Sequence, residues 1–96
     1  MIEHLTKDSF KQKVFDYQNS RVYRFEGERP VVIDFYTNWC VPCKTIAPIL
    51  EELQREYEGK VDIYKVDSDM EKELVKAFNV RSIPTLMFVP VEGQPQ

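Results

Sequence analysis

Residues 31–44 read VVIDFYTNWCVPCK, and this stretch decides the fold. Its first six residues are apolar apart from Asp34, a pattern typical of a central strand buried on both faces of a parallel sheet. Cys40 and Cys43 follow at C-x-x-C spacing, where the strand pattern ends and a helical pattern begins. Open α/β sheets place their sites at this rim, so we expect the two cysteines to lie at a functional site.

Strand and helix patterns also alternate before this stretch. Residues 2–5 alternate like a strand, and Thr6 with the polar residues after it offers capping oxygens for a first helix. The apolar stripe of that helix extends to about residue 20. Residues 23–30 are predicted to form a loop or a short extra element.

The same alternation continues after the cysteines. The predicted elements are a second helix that Gly59 ends, a strand at 61–66, a short helix capped by residues 67–69 and ended by Asn79, a strand at 85–89 closed by Pro90, and a turn at 93–96. The predicted order is therefore β-α-β-α-β-α-β. This order indicates an α/β fold, and the length of 96 residues fits a single domain spanning residues 1–96.

Composition and charge exclude several classes of partner. Hydrophobic residues make up 43% of the chain and charged residues 30%, which is typical of a globular domain with a packed core. The net charge of -3 is spread along the chain without a basic stripe, so we expect neither nucleic acid nor an anionic membrane as a partner. The N-terminus lacks the pattern of a secretory signal, and we expect a cytoplasmic protein.

Cys40 and Cys43 suit thiol chemistry at a helix start. Free backbone N–H groups and the positive end of the helix dipole favour an anion there, so we expect Cys40 to be the attacking thiolate. Cys43 lies one turn further on the same face, within a disulfide reach of about 5 to 6 Å between Cα atoms, and can resolve a mixed disulfide that Cys40 forms. Pro42 stiffens the turn without adding a charge, which favours a reducing pair over an oxidising one.

C-x-x-C spacing also forms half of a zinc site, which needs two more ligands. The chain has no third cysteine, and its single histidine, His4, falls in the first predicted strand. We therefore expect no metal, and no cofactor other than a redox-active disulfide between Cys40 and Cys43. His4 is expected to be a solvated strand residue.

Four segments of the chain resemble the thioredoxin family in order and spacing. They read DFYTNWCVPCK at 34–44, APIL at 47–50, KVD at 65–67 and VRSIPT at 80–85. The resemblance implies a thioredoxin-like three-layer α/β/α fold with a mixed central sheet. It also implies a dithiol that reduces disulfide-bearing protein substrates and is recycled by a thioredoxin reductase-type electron donor.

The resemblance further implies roles for residues behind the cysteines. Asp34 corresponds to a buried acid whose pKa is raised by burial and which takes the proton of Cys43, directly or through a water. Lys65 corresponds to the lysine that partners this acid. Two simpler interpretations remain open: Asp34 as a turn or cap acid, and Lys65 as a solvated strand lysine.

A substrate surface is implied beside the cysteines. Pro84 corresponds to a cis-proline that faces them and leaves the backbone of Ile83 free to pair with an extended substrate. Trp39, Val41 and Pro42 complete the surface; Val41 stands where thioredoxins usually carry glycine and adds apolar area and stiffness. Pro84 as an ordinary trans proline and Trp39 as a core residue are the simpler alternatives.

The end of the sequence departs from the family. Thioredoxins continue past the turn at Gly93 into a last strand and a C-terminal helix, whereas this sequence stops at Gln96. The fourth strand is then expected to be an open edge, and one face of the sheet to lack a covering helix. We expect a dimer through that edge or face, or an artificially shortened chain.

The predicted function is that of a thiol-disulfide oxidoreductase of the reductase type. Two alternatives remain open on the sequence: a disulfide oxidase or isomerase on the same fold, and a non-catalytic assembly module whose cysteines are idle. The reactivity of the two thiols separates the enzymes from the module, because only a working pair has one thiol far more reactive than the other.

Overall fold

Strands and helices alternate along the part of the chain that the structure describes. The structure is a computed structural model that describes residues 2–14, 17 and 29–91. In chain order the elements are β1 (Glu3–His4), α1 (Lys7–Lys13), β2 (Val31–Tyr36), α2 (Val41–Glu56), β3 (Asp62–Asp67), α3 (Lys72–Ala77) and β4 (Thr85–Val89). This is the predicted order of elements.

The strands form one mixed sheet in the order β1-β3-β2-β4. β3 runs parallel to both β1 and β2, whereas β4 runs antiparallel to β2. β2 therefore has a neighbour on each side, and five of its six residues are buried. The mixed sheet and the central position of β2 confirm the prediction, because only a strand covered on both faces needs an apolar run without alternation.

Helices cover both faces of the sheet. Successive residues of β2 point to opposite faces. The odd-numbered residues of β2 join the larger core with Phe10 of α1 and Leu74 of α3. Val32 packs instead in a second cluster with Leu50 of α2. The layers are thus α1 and α3 on one side and α2 on the other, and the alternation sends Asp34 to the α2 face.

Side-chain chemistry sets several helix ends. Thr6 and Ser9 form a capping box at the start of α1, in which each backbone N–H donates to the other hydroxyl oxygen. Cys40 is the N-cap residue of α2, with Pro42 in the first turn. Asn79, just after α3, has a φ of 54°, the left-handed conformation predicted for the residue that terminates this helix.

The predicted cap of α3 at residues 67–69 is wrong. The N-cap residue is Glu71, and its side chain makes no capping hydrogen bond. Asp67 is the last residue of β3 and pairs with Tyr36 of β2, so its carboxylate comes too early in the chain to cap α3. The Asp67 Oδ1 atom instead accepts hydrogen bonds from the backbone N–H groups of Asp69 and Met70 and closes the turn between β3 and α3.

The first helix is shorter than its apolar stripe predicts. α1 ends at Lys13, with Val14 as its C-cap residue, and Tyr17 lies in a turn. Most of the predicted continuation to residue 20, most of the predicted loop at 23–30, and the predicted turn at 93–96 lie outside the described residues.

β4 forms one edge of the sheet. It pairs with β2 and with no other strand among the described residues. On the α2 face, Leu86 and Phe88 of β4 are 37% and 51% exposed. The expected open edge is therefore present within the described chain, whereas the expected bare face is limited to the part of the α2 face that lies over β4. No helix in that part of the chain has the length and apolar character needed to cross a bilayer.

Candidate active site

Cys40 and Cys43 form a disulfide at the N-terminus of α2. Their Cα atoms are 5.3 Å apart, within the reach expected from their spacing. The two cysteines are 5% and 4% exposed, and they cluster with Tyr36 and the half-buried Ile83. The backbone N–H of Cys43 donates a hydrogen bond of 3.2 Å to the Cys40 Sγ atom, which makes a sulfur the capping acceptor of the helix.

The first turn of α2 suits a sulfur anion. An N-cap acceptor faces the positive end of the helix dipole, and no acidic residue lies in this first turn to oppose a negative charge. Pro42 has no backbone N–H, but the helix loses no hydrogen bond through it, because the N–H groups of the first turn have no partner within the helix. The geometry therefore favours a thiolate at Cys40 when the disulfide is reduced.

Asp34 is a fully buried acid in the middle of β2. Neither of its carboxylate oxygens has a hydrogen-bond partner among the described residues. Burial raises the pKa of Asp34, and the positive charge of Lys65 lowers it by a smaller amount. The alternative of a turn or cap acid is wrong, since Asp34 pairs with Lys65 and Leu86 in the neighbouring strands.

Lys65 lies beside Asp34 in the sheet register but contacts Tyr36. The Lys65 Nζ atom is 4.4 Å from the centroid of the Tyr36 ring, in cation–π geometry. The Tyr36 hydroxyl forms a 2.9 Å hydrogen bond with Nδ1 of His4. His4 is exposed, as expected for a solvated strand residue, but its contact with Tyr36 was not predicted.

A small cavity of about 110 Å³ opens next to these groups. Its lining includes Cys43, Thr37 and Lys65. Cys43 and the lysine that faces Asp34 thus border the same space. Among residues 2–14, 17 and 29–91, no group of three or more His, Cys, Asp or Glu residues could hold a metal ion.

The predicted substrate residues flank the disulfide. Trp39 is 69% exposed, which excludes its interpretation as a core residue, and Val41 is 70% exposed. The indole N–H of Trp39 donates a 2.9 Å hydrogen bond to Asp69 Oδ2 and so fixes the ring at the surface. The Ile83–Pro84 peptide bond is cis.

Comparisons with known proteins agree with this geometry. A family model described as Thioredoxin matches residues 1–96. The chain belongs to the thioredoxin family. It is 50% identical over 92 residues to the thioredoxin of Borreliella burgdorferi, a match that covers 96% of this chain and 79% of that one.

Two further relatives extend the comparison. The chain is 48% identical over 63 residues to the chloroplastic M-type thioredoxin of Spinacia oleracea, covering 66% of this chain and 35% of that one. It is 37% identical over 83 residues to thioredoxin 1 of a Nostoc species, covering 86% and 68% of the two chains. Family membership and the Cys40–Cys43 disulfide together identify a thiol-disulfide oxidoreductase on a thioredoxin-like fold, consistent with a protein-disulfide reductase.

The sequence singled out Cys40, Cys43, Asp34 and Lys65, which the structure places near one another, but it did not indicate the contacts of Tyr36 and His4. The signal for Tyr36 was its position two residues after Asp34, which places both on one face of the strand. His4 had no comparable signal, because its place beside Lys65 depends on the pairing of β1 with β3.

Proposed function

We propose that this chain reduces disulfides of protein substrates with the Cys40–Cys43 dithiol. The Cys40 thiolate attacks one sulfur of the substrate, which forms a mixed disulfide and releases the other sulfur as a thiolate that takes a proton. The Cys43 thiolate then attacks Cys40 Sγ, which closes the Cys40–Cys43 disulfide and releases the second substrate sulfur. Two electrons pass from the dithiol to the substrate. The single observation that carries this proposal is the disulfide at the N-terminus of α2.

We propose Asp34 as the acceptor of the Cys43 proton. A carboxyl group whose pKa is raised by burial is a stronger base than an exposed one, so it suits proton transfer nearer neutral pH. The small cavity that Cys43 and Lys65 line gives room for a water between the sulfur and this region. Lys65 limits the cost of an ionised Asp34 through its positive charge.

Substrate docking is assigned to the surface around the disulfide. The exposed side chains of Trp39 and Val41 supply apolar area, and Pro42 lies between the two cysteines. Ile83, which precedes the cis peptide bond, packs against the cysteine cluster. We propose that the backbone there pairs with an extended segment of the substrate, and that Pro84 keeps that segment in line with Cys40.

Recycling requires an outside electron donor. The Cys40–Cys43 disulfide must accept two electrons before the dithiol can act again. We therefore propose a thioredoxin reductase-type partner as the electron donor, in a reducing compartment such as the cytoplasm. The disulfide itself is the redox group, and the proposed reaction needs no bound cofactor on this chain.

Trapping the mixed disulfide tests the proposal. A disulfide-bonded protein is incubated with the reduced Cys43→Ser and Cys40→Ser variants, and the products are separated without reductant. Cys43→Ser is expected to accumulate a covalent complex through Cys40, and Cys40→Ser is expected to form almost none. Equal trapping by both variants, or by neither, would contradict the assigned order of attack.

Equilibration of the wild-type pair against glutathione tests the direction of the reaction. A reductase pair stays oxidised in mixtures that already reduce the pair of an oxidase. A pair that becomes reduced under mildly reducing glutathione mixtures would identify a disulfide oxidase or isomerase instead.

A further inference from the structure

Lys65 faces an acid on one side and an aromatic ring on the other. The sheet register places it beside Asp34 of β2 and His4 of β1. The Asp34 oxygens nevertheless have no hydrogen-bond partner among the described residues, whereas the Lys65 ammonium lies 4.4 Å from the Tyr36 ring centroid. The ammonium group therefore rests on the ring rather than on the neighbouring carboxyl group.

The Tyr36 ring is itself held in place. Its hydroxyl is hydrogen-bonded to His4 Nδ1 at 2.9 Å, and the two rings meet edge to face at 5.5 Å between centroids. The side chain is 8% exposed and packs against Cys40 and Cys43. Because these contacts hold the Tyr36 ring in one orientation, its face is a fixed surface for the Lys65 ammonium group.

We infer that Tyr36 is a positioning residue that holds the Lys65 ammonium beside the Asp34 carboxyl group and prevents a direct ion pair between them. This inference deepens the proposed function and rests on the proposed role of Asp34 as a proton acceptor. A direct ion pair would favour the ionised carboxylate, and a more acidic Asp34 is a weaker base toward the Cys43 thiol. An ammonium group held at the ring still acts on Asp34 through space, but it does not make Asp34 as acidic as a direct ion pair would.

Other ionisable groups lie on the elements that neighbour Asp34. They come from every neighbouring element on the α2 face except β4, which places apolar Leu86 beside Asp34. These groups are His4 of β1, Tyr36 of β2, Lys65 and Asp67 of β3, and Cys43 and Lys44 of α2. Among the described residues, burial and the charge of Lys65 are what shift the pKa of Asp34, so Lys65 is the charged group whose position matters most.

An NMR titration of the Asp34 carboxyl carbon tests the inference in the oxidised protein, where the cysteines do not titrate. Tyr36→Leu removes the ring face and frees Lys65 to reach the carboxylate, so the pKa of Asp34 is expected to fall. Lys65→Met removes the cation, so this pKa is expected to rise. In the Lys65→Met background, Tyr36→Leu is expected to move the titration much less than it does alone.

The double variant separates positioning from a merely structural effect. Loss of the ring also admits water near Asp34, and that effect does not depend on Lys65. A fall of equal size with and without Lys65, or a rise in the Tyr36→Leu protein, would overturn the inference. Tyr36→Phe is the matched control: it keeps the ring and loses the contact with His4, and its Asp34 titration is expected to stay nearer to wild type than that of Tyr36→Leu.

A second measurement needs no variant and covers the case in which Tyr36→Leu does not fold. Protons above an aromatic ring shift upfield, so the Lys65 ε-methylene protons are expected upfield of those of the exposed Lys44 and Lys72. Equal shifts for these lysines would overturn the inference. The pH profile of disulfide reduction then tests the proposed function separately: an Asp34 titration that moves while the profile does not would leave Tyr36 as the positioning residue and remove Asp34 as the proton acceptor.

Discussion

At the scale of single residues, Asp34 is a buried ionisable group whose burial costs folding free energy. It is fully buried, and its oxygens have no hydrogen-bond partner among the described residues. Because burial raises its folded-state pKa, the unfolded chain ionises Asp34 at lower pH than the folded protein does. Stability is therefore expected to fall as pH rises from the unfolded-state pKa to the folded-state pKa, and to stay lower above it.

Asp34→Asn is expected to remove this loss of stability. At pH 7 the variant should be more stable than wild type, because the amide keeps the shape of the side chain but cannot ionise in the buried site. At pH 3 the difference should largely vanish, because wild-type Asp34 is then protonated in both states. Urea unfolding at the two pH values measures the effect. Asp8→Asn removes the same charge at an exposed site, and a similar gain there would show that burial is not the cause.

The same substitution is expected to slow disulfide reduction. Loss of the proton acceptor should lower the rate of Cys43 attack by up to about 10²-fold, the lower end of general-base contributions. The change in this rate with pH that comes from ionisation of Asp34 should disappear as well. Single-turnover reduction of a disulfide peptide between pH 5 and 9 measures both. A variant that keeps the wild-type pH profile would show that another group accepts the proton.

Residue identity alone predicted part of this site. Asp34 stands out as a lone acid in an apolar strand, and Cys40 and Cys43 stand out by their C-x-x-C spacing where the next helix begins. The contact of Tyr36 with His4 and Lys65 could not be predicted in the same way. It joins three strands whose pairing order, β1-β3-β2, is not the order of the chain.

At the scale of elements, we expect the N-terminus of α2 to set the redox potential of the Cys40–Cys43 pair. Pro42 contributes no charge to a first turn that also has no acidic residue. Pro42→His would add a cation near Cys40 and stabilise its thiolate, so the pair is expected to become more oxidising. Equilibration against glutathione measures the change, and each tenfold shift in the equilibrium constant equals about 30 mV.

Pro42→Ser is the control for that substitution, because it removes the rigid ring without adding a charge. A shift in Pro42→Ser as large as the one in Pro42→His would mean that turn stiffness, not charge, sets the redox poise.

Element types were easier to predict than element ends. The apolar patterns of α2, β2 and β4 reflect burial and are long enough to indicate the element type directly. The start of α3 was misplaced because residues 67–69 have good capping side chains, yet β3 pairs through Asp67 and uses its carboxylate for a turn. Tertiary pairing here overrides a local capping preference.

At the scale of the whole molecule, the central strand links both faces of the fold to the site. Its odd-numbered residues fill the core beneath α1 and α3, while Asp34 and Tyr36 face α2 and the cysteines. One strand therefore supplies both the packing that fixes its position and the groups that we propose act on the dithiol. The burial of the apolar side chains on the opposite face stabilises the fold and offsets part of the cost of burying Asp34.

The same architecture leaves the β4 edge without a partner among the described strands, and we propose that a second copy of the chain pairs there. Phe88, on the open face, is 51% exposed, and burying it together with an unpaired strand edge would favour association. Sedimentation equilibrium is expected to show a dimer that Phe88→Lys converts to monomer. Met70→Ser, a change at an exposed apolar residue outside the sheet, should leave the dimer intact. A wild-type chain that stays monomeric at high concentration, with cooperative thermal unfolding, would contradict self-association through β4.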